Sequence, residues 1–152
     1  METYRLSREK FATILSGKGA AIKGARWNSI GTELIYVASN RSLAMAEVAV
    51  HLTLATLPDD YVMITLYLPD TISILKLYQT DLPTNWNTFP HSACTQVFGD
   101  RFVTENKFCV LQVPSAVTQG DFNYLINPFH PECSGIQIVK TEKFPFDRRI
   151  FK

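Results

Sequence analysis

Residues 42–57, SLAMAEVAVHLTLATL, place apolar side chains at every phase of a 3.6-residue period and carry a single charge, Glu47. Such a segment predicts a helix buried on nearly all sides rather than a surface helix with one apolar stripe. The domain must therefore wrap this helix, and it must also accommodate Glu47. A carboxylate removed from water without a partner costs several kcal/mol, so Glu47 faces either a polar cleft or a buried cation. His51, four residues further on, falls on the same helical face. A lone histidine on an apolar helix is as a rule a satisfied core residue, and the sequence leaves open whether it joins Glu47.

Upstream, ELIYVAS has the β-branched and aromatic content of a buried strand, with Tyr36 inside it, and Ser42 is the expected N-cap of the following helix. SIGT is a turn, and GARWN is a short strand or extended loop in which Arg26 precedes Trp27 and Asn28. Two readings of Arg26 stand side by side. It is an anion grip, or it forms a buried Arg26–Glu47 ion pair in a binding module without turnover.

Elsewhere the chain alternates short signals. Residues 3–15 mix apolar and charged positions as a helix-like or irregular lead-in, and SGKGA after them is a turn, lacking the spacing of a phosphate loop. YVMITLYLP is the clearest strand, and ISILKLY is a short strand or helical turn. TDLPTNWNTFPHSACTQ is a long loop in which Trp86 is a buried anchor or a lid contact. Residues 94–105 form a helix with Phe98 and Phe102 on one side. FCVLQVP is a strand ended by Pro114, and Ser115 beyond it either caps a turn or reaches into a cleft. Ser115 lacks the glycine-flanked elbow and the His and Asp partners of an acyl-transfer nucleophile. NYLINPFHPE is a strand or turn with Asn127 before Pro128, and residues 135–141 form the last strand. Strands mixed irregularly with few helices point to a single α+β domain over residues 1–152 rather than a doubly wound parallel sheet.

Composition excludes several function classes. Fifteen basic and 14 acidic residues leave a net charge of +1, so there is no broad basic face for nucleic acid and no basic run for an anionic membrane. The amino terminus, METYRLSREKF, is charged, and no run of about 18 apolar residues occurs, so a cytoplasmic location is expected. Cys94, Cys109 and Cys133 are widely spaced, with neither a paired-cysteine metal signature nor a disulfide framework, and are read as reduced thiols with Cys109 in the core.

Taken together, ILSGKGA, GARWNSIGTELIYVAS, LAMAEVAVHL, LPDDYVMITLYLPD, VPSAVTQGDFNYLINPFHPE and PFDRRIF resemble, over essentially the whole chain, the RES-domain family of toxins from bacterial toxin–antitoxin pairs. The Arg, Glu and Ser that name the family fall on Arg26, Glu47 and Ser115, its tyrosine on Tyr36, and the asparagine of its NYLLNP-like segment on Asn127. Ile126 and Lys18 depart from the usual Leu and Glu without touching these positions. The resemblance implies an ADP-ribosyltransferase-like fold around a cleft for NAD, and cleavage of NAD with water, phosphate or a protein side chain as acceptor. It also implies growth arrest unless a cognate helix-turn-helix antitoxin forms a hetero-oligomer with the chain. In that scheme Glu47 stabilises an oxocarbenium-like transition state and Arg26 grips the diphosphate. Tyr36 offers a ring and a hydroxyl, Ser115 and Asn127 supply hydrogen bonds, and no metal is required.

Overall fold

The β-branched and aromatic runs assemble into one mixed sheet in the computed structural model, which describes residues 1–151. The strands are β1 (Glu2–Arg8), β2 (Ile35–Ala38), β3 (Tyr61–Tyr67), β4 (Ile74–Lys76), β5 (Val110–Pro114), β6 (Phe122–Ile126) and β7 (Gln137–Lys143). Their order is β4-β5-β6-β2-β1-β3-β7; β4 and β5 run parallel and every other neighbour is antiparallel. Three α-helices accompany them, α1 (Lys18–Lys23), α2 (Arg41–Ala49) and α3 (Ala93–Glu105). The architecture is the expected α+β one. Among the described residues no helix is long and apolar enough to cross a membrane.

Strand alternation divides the core between two faces of the sheet. One face carries Ile35, Val37, Val62, Ile64, Leu66, Val110, Tyr124 and Ile126, closed over by Ala12, Leu15, Cys133 and Ile136. The opposite face has two separate covers. Over β2, β1 and β3, α2 packs Leu43 and Ala44 onto Ala38, Leu6 and Met63. Over β5 and β6, Trp27, Leu34, Trp86 and Phe102 pack onto Leu111, Val113 and Leu125. The candidate site lies where the two covers meet.

Three expectations fail here. Residues 3–15 are not helix-like, because Glu2–Arg8 is β1, a strand in the sheet's interior between β2 and β3. Its pattern was masked by Arg5, which the sheet half-buries and whose guanidinium burial lowers from its ordinary pKa, and by Arg8, which pairs with Asp60 at the strand's end. SGKGA is not a plain turn either, because its last residues open α1, a helix that stops at Gly24, whose φ of 69° suits a residue without a Cβ. The apolar run 42–57 yields only the nine residues of α2. A helix of that length is about 13 Å long, and at its end Val50 is already 60% exposed. His51 therefore lies beyond the helix and exposed, and Leu54 to Thr56 form an exposed helical turn of their own.

The cap also differs from expectation. Asn40, not Ser42, starts α2, its side chain accepting the Leu43 N–H at 2.8 Å, so Ser42 sits within the first turn. Asn40→Ala should therefore cost about 1 kcal/mol of stability in urea unfolding, whereas Ser42→Ala should change it by less than about 0.5 kcal/mol. The reverse order would show that the cap is misassigned.

Candidate active site

Glu47 lies one helical turn past Leu43, so it emerges where α2 leaves the core and is half-buried. Its Oε1 accepts two neutral hydrogen bonds, from Ser115 Oγ at 2.8 Å and from Asn123 Nδ2 at 2.7 Å. Both donors come from strand ends that the register brings together, since Asn123 pairs with Ala38 of β2 and with Val113 of β5, and Ser115 directly follows β5. Oε2 makes no hydrogen bond or ion pair among the described residues. The Ser115 hydroxyl is fully used, because it also accepts the N–H groups of Val117 at 3.1 Å and Thr118 at 3.0 Å. Ser115 thus caps the turn and orients Glu47 at once, and nothing near it activates it as a nucleophile.

Arg26 lies on the loop between α1 and β2, which a bridge between Ala25 and Asn28 tightens. One face of α3 grips that loop. Thr95 Oγ1 donates to the Arg26 carbonyl at 2.5 Å, and Gln96 Nε2 donates to the carbonyls of Ala25 at 3.0 Å and Asn28 at 3.1 Å. Asp100 accepts from the N–H and hydroxyl of Ser29 at 3.0 and 2.6 Å. Between them the helix presents Gly99, where a Cβ would lie 1.7 Å from the Trp27 carbonyl oxygen, so the approach requires glycine. The guanidinium itself is braced from the other side, with Nη1 donating to the carbonyls of Trp86 at 2.9 Å and Thr88 at 3.0 Å. Burial lowers its pKa from the ordinary value against the opposing pull of Glu47, and it remains charged.

Arg26 and Glu47 therefore sense each other without forming an ion pair, and the buried-pair reading is corrected. Arg26 is committed through Nη1 to backbone carbonyls and Glu47 through Oε1 to neutral donors, which leaves Nε and Nη2 of Arg26 and one carboxylate oxygen without a hydrogen bond among the described residues. Tyr36 lies in β2 on the same face as Ala38 and packs against the cluster of Trp27 and Leu34. Its hydroxyl donates to Asn28 Oδ1 at 2.6 Å and accepts the Trp27 N–H at 3.3 Å, and burial raises its pKa. That hydroxyl serves the Arg26 loop, so the ring alone remains for a ligand.

Asn127 is not brought to this group. It lies four residues from Asn123 along β6, about 13 Å away at the usual strand rise, and is fully buried. Its amide donates to Asn106 Oδ1 at 2.7 Å and its oxygen accepts the Phe129 N–H at 3.0 Å, which fixes the turn after the strand. The asparagine that meets Glu47 is the first of NYLINP, Asn123, which sequence reasoning missed. Its signal was its place at the end of the strand that adjoins Ser115. Trp86 is a buried anchor, stacked at 6.1 Å on Trp27, and its carbonyl helps brace Arg26. Cys94, near the start of α3, lies close enough to Arg26 to influence its charge.

Comparison with known proteins identifies the family and the fold. The RES domain family model matches residues 2–147. The chain is 35% identical over 140 residues to the "Prs ADP-ribosylating toxin" of Sphingobium sp. (strain YBL2), covering 91% of this chain and 87% of that protein. It is 35% identical over 155 residues to "Toxin Res" of Photorhabdus laumondii, covering 100% and 98% of the two chains. A chain of the crystal structure of the M. tuberculosis MbcT-MbcA toxin–antitoxin complex shares the fold at a TM-score of 0.78, with 19% identity over 95% of this chain and 84% of that one.

Removing the Ser115 hydroxyl withdraws one donor from Glu47 and leaves two amides of the next turn without an acceptor. Ser115→Ala should lower unfolding stability by about 1–3 kcal/mol in denaturant titration. A loss below about 0.5 kcal/mol would mean that water replaces the hydroxyl and that the site does not depend on it.

Proposed function

The chain belongs to the RES domain family, and from that premise we propose that it is the toxin of a toxin–antitoxin pair, acting by cleavage of the nicotinamide–ribose bond of NAD. The observation that carries this reading is the carboxylate of Glu47, held through one oxygen by Ser115 and Asn123 with the other oxygen uncommitted, in the same site as a braced Arg26. When the carbon–nitrogen bond breaks, its electron pair leaves with neutral nicotinamide and positive charge develops on the ribose. A fixed carboxylate oxygen opposite that carbon stabilises the charge as it forms, without reorganisation. Arg26 donates its remaining N–H groups to the diphosphate, and its carbonyl braces fix the plane of the fork. The Tyr36 ring supplies an apolar face for nicotinamide. No step of the scheme calls for a metal.

Water as acceptor gives ADP-ribose and a proton, and phosphate gives a phosphorylated ADP-ribose; either route depletes NAD and arrests growth. A second reading, transfer of ADP-ribose to a specific protein, is favoured by the name of the Sphingobium relative. The solved toxin–antitoxin complex of the same fold supports a cognate antitoxin as partner. We expect that antitoxin to carry a helix-turn-helix domain and to inhibit by covering the site, so that NAD competes with it.

The test is incubation of purified protein with NAD while free nicotinamide is followed, with product masses taken with and without phosphate. Release of nicotinamide supports the reading, and label from NAD on a protein would move the assignment to the second one. No release from NAD under any condition would overturn both. Among variants, Glu47→Gln keeps the shape but removes the charge, so kcat should fall roughly a hundredfold or more with KM little changed. Arg26→Ala removes charge-assisted bonds of about 1.5–3 kcal/mol, so its loss, roughly tenfold to a hundredfold, should appear mainly in KM. Unfolding of either variant, with turnover lost only in parallel, would show that the residue is structural.

A further inference from the structure

On the face of the sheet opposite Glu47, a second group of reactive side chains converges that the proposed reaction does not use. Cys109, just ahead of β5, is wholly buried. His130 and Glu132 come from the turn after β6, and that turn is drawn against the start of β5 because the Asn127 N–H donates to the Cys109 carbonyl at 2.8 Å. One ligand atom from each of Cys109, His130 and Glu132 lies within 4.8 Å of the other two. We propose that these three side chains form a binding site for a borderline-soft divalent cation, zinc foremost, that staples the 130–135 turn to the start of β5.

The donor set decides the class of ion. A thiolate, an imidazole and one carboxylate suit zinc and its close neighbours, whereas calcium and magnesium take oxygen shells. Ligand atoms around tetrahedral zinc stand roughly 3.3–3.8 Å apart. Here the ligand atoms lie within 4.8 Å of one another, so small side-chain rotations bring them to that spacing. Cys133 packs against the same core as Cys109 and offers a further donor.

The surroundings resemble a prepared outer shell. Ser73 donates both its N–H at 2.8 Å and its hydroxyl at 2.6 Å to one oxygen of Glu132, and the same hydroxyl accepts the Cys109 N–H at 3.0 Å. One residue thus fixes two of the three ligands, as the partners of metal-binding side chains do. His130 now accepts the Glu132 N–H through Nδ1 at 3.2 Å, a long bond that is lost when the ring turns to a cation. Glu132 is exposed and opens the group to solvent, so an ion has a path inward. The site is remote in function from Glu47 and Arg26, and the inference does not depend on the NAD reading.

The full-length protein, stripped with a chelator, should bind zinc chloride in a saturable 1:1 titration with submicromolar Kd and melt at a higher temperature when loaded. Cobalt in place of zinc should give thiolate-to-metal charge-transfer absorption. Cys109→Ser should weaken binding by at least about a hundredfold and abolish that absorption, because the thiolate is the strongest ligand. Because Cys109 is in the core, Glu132→Gln provides a second reading at an exposed position, with affinity falling roughly tenfold to a hundredfold while the metal-free protein stays folded. Absence of saturable binding by the native protein would overturn the proposal, and so would zinc affinity left unaltered by both substitutions, which would place the ion elsewhere.

Discussion

A half-buried carboxylate that no cation among the described residues neutralises is the constraint that organises one side of this domain. Glu47 is tolerated because two neutral donors converge on one of its oxygens, and that convergence requires α2 to cross β1 and β2 while the ends of β5 and β6 lie side by side. Neutral donors support a carboxylate without quenching it, as an ion pair would. The charge is therefore kept available to a ligand, and its position is fixed by the same register that builds the sheet.

Arg26 is held by different means toward the same end. Its loop has little regular structure of its own, so α3 supplies the order through Thr95, Gln96 and Asp100, with Gly99 admitting the Trp27 carbonyl at a distance no other residue allows. The opposite brace comes from carbonyls of the long loop that Trp86 anchors. Packing of α3 on the sheet and burial of two tryptophans thus set the direction of one guanidinium. The two halves of the site are built by separate covers of one sheet face, with Tyr36 of β2 packed in one and Ala38 of the same strand in the other.

Legibility in the sequence followed how local each signal was. Strands β2, β3 and β5 were readable because continuous β-branched runs are buried on both faces, and α3 because its aromatic spacing is helical. Strand β1 was not, since Arg5 and Arg8 break the apolar pattern of a strand whose place in the sheet is decided by pairing with β2 and β3. The length of α2 was overread because apolar composition was taken for burial, yet Val50 is 60% exposed where the helix ends. Arg26, Glu47, Tyr36 and Ser115 were named from motif positions, and three of their hydrogen-bonding roles rest on tertiary register that no spacing reveals. The choice of Asn127 over Asn123 is the clearest case, since both lie in one short segment and only the pairing with β5 brings one of them to Ser115. Cys109, His130 and Glu132 were invisible as a group for the same reason.

The central claim is that Ser115 and Asn123 act through Glu47 by holding its carboxylate. A double-mutant cycle on kcat with Asn123→Ala, Glu47→Gln and their combination measures that dependence directly. If Asn123 serves to orient the carboxylate, its removal lowers kcat in the native background and has almost no further effect once Glu47 is glutamine. Equal losses in both backgrounds would mean that Asn123 acts independently of Glu47, and the account of a carboxylate positioned by strand ends would be contradicted.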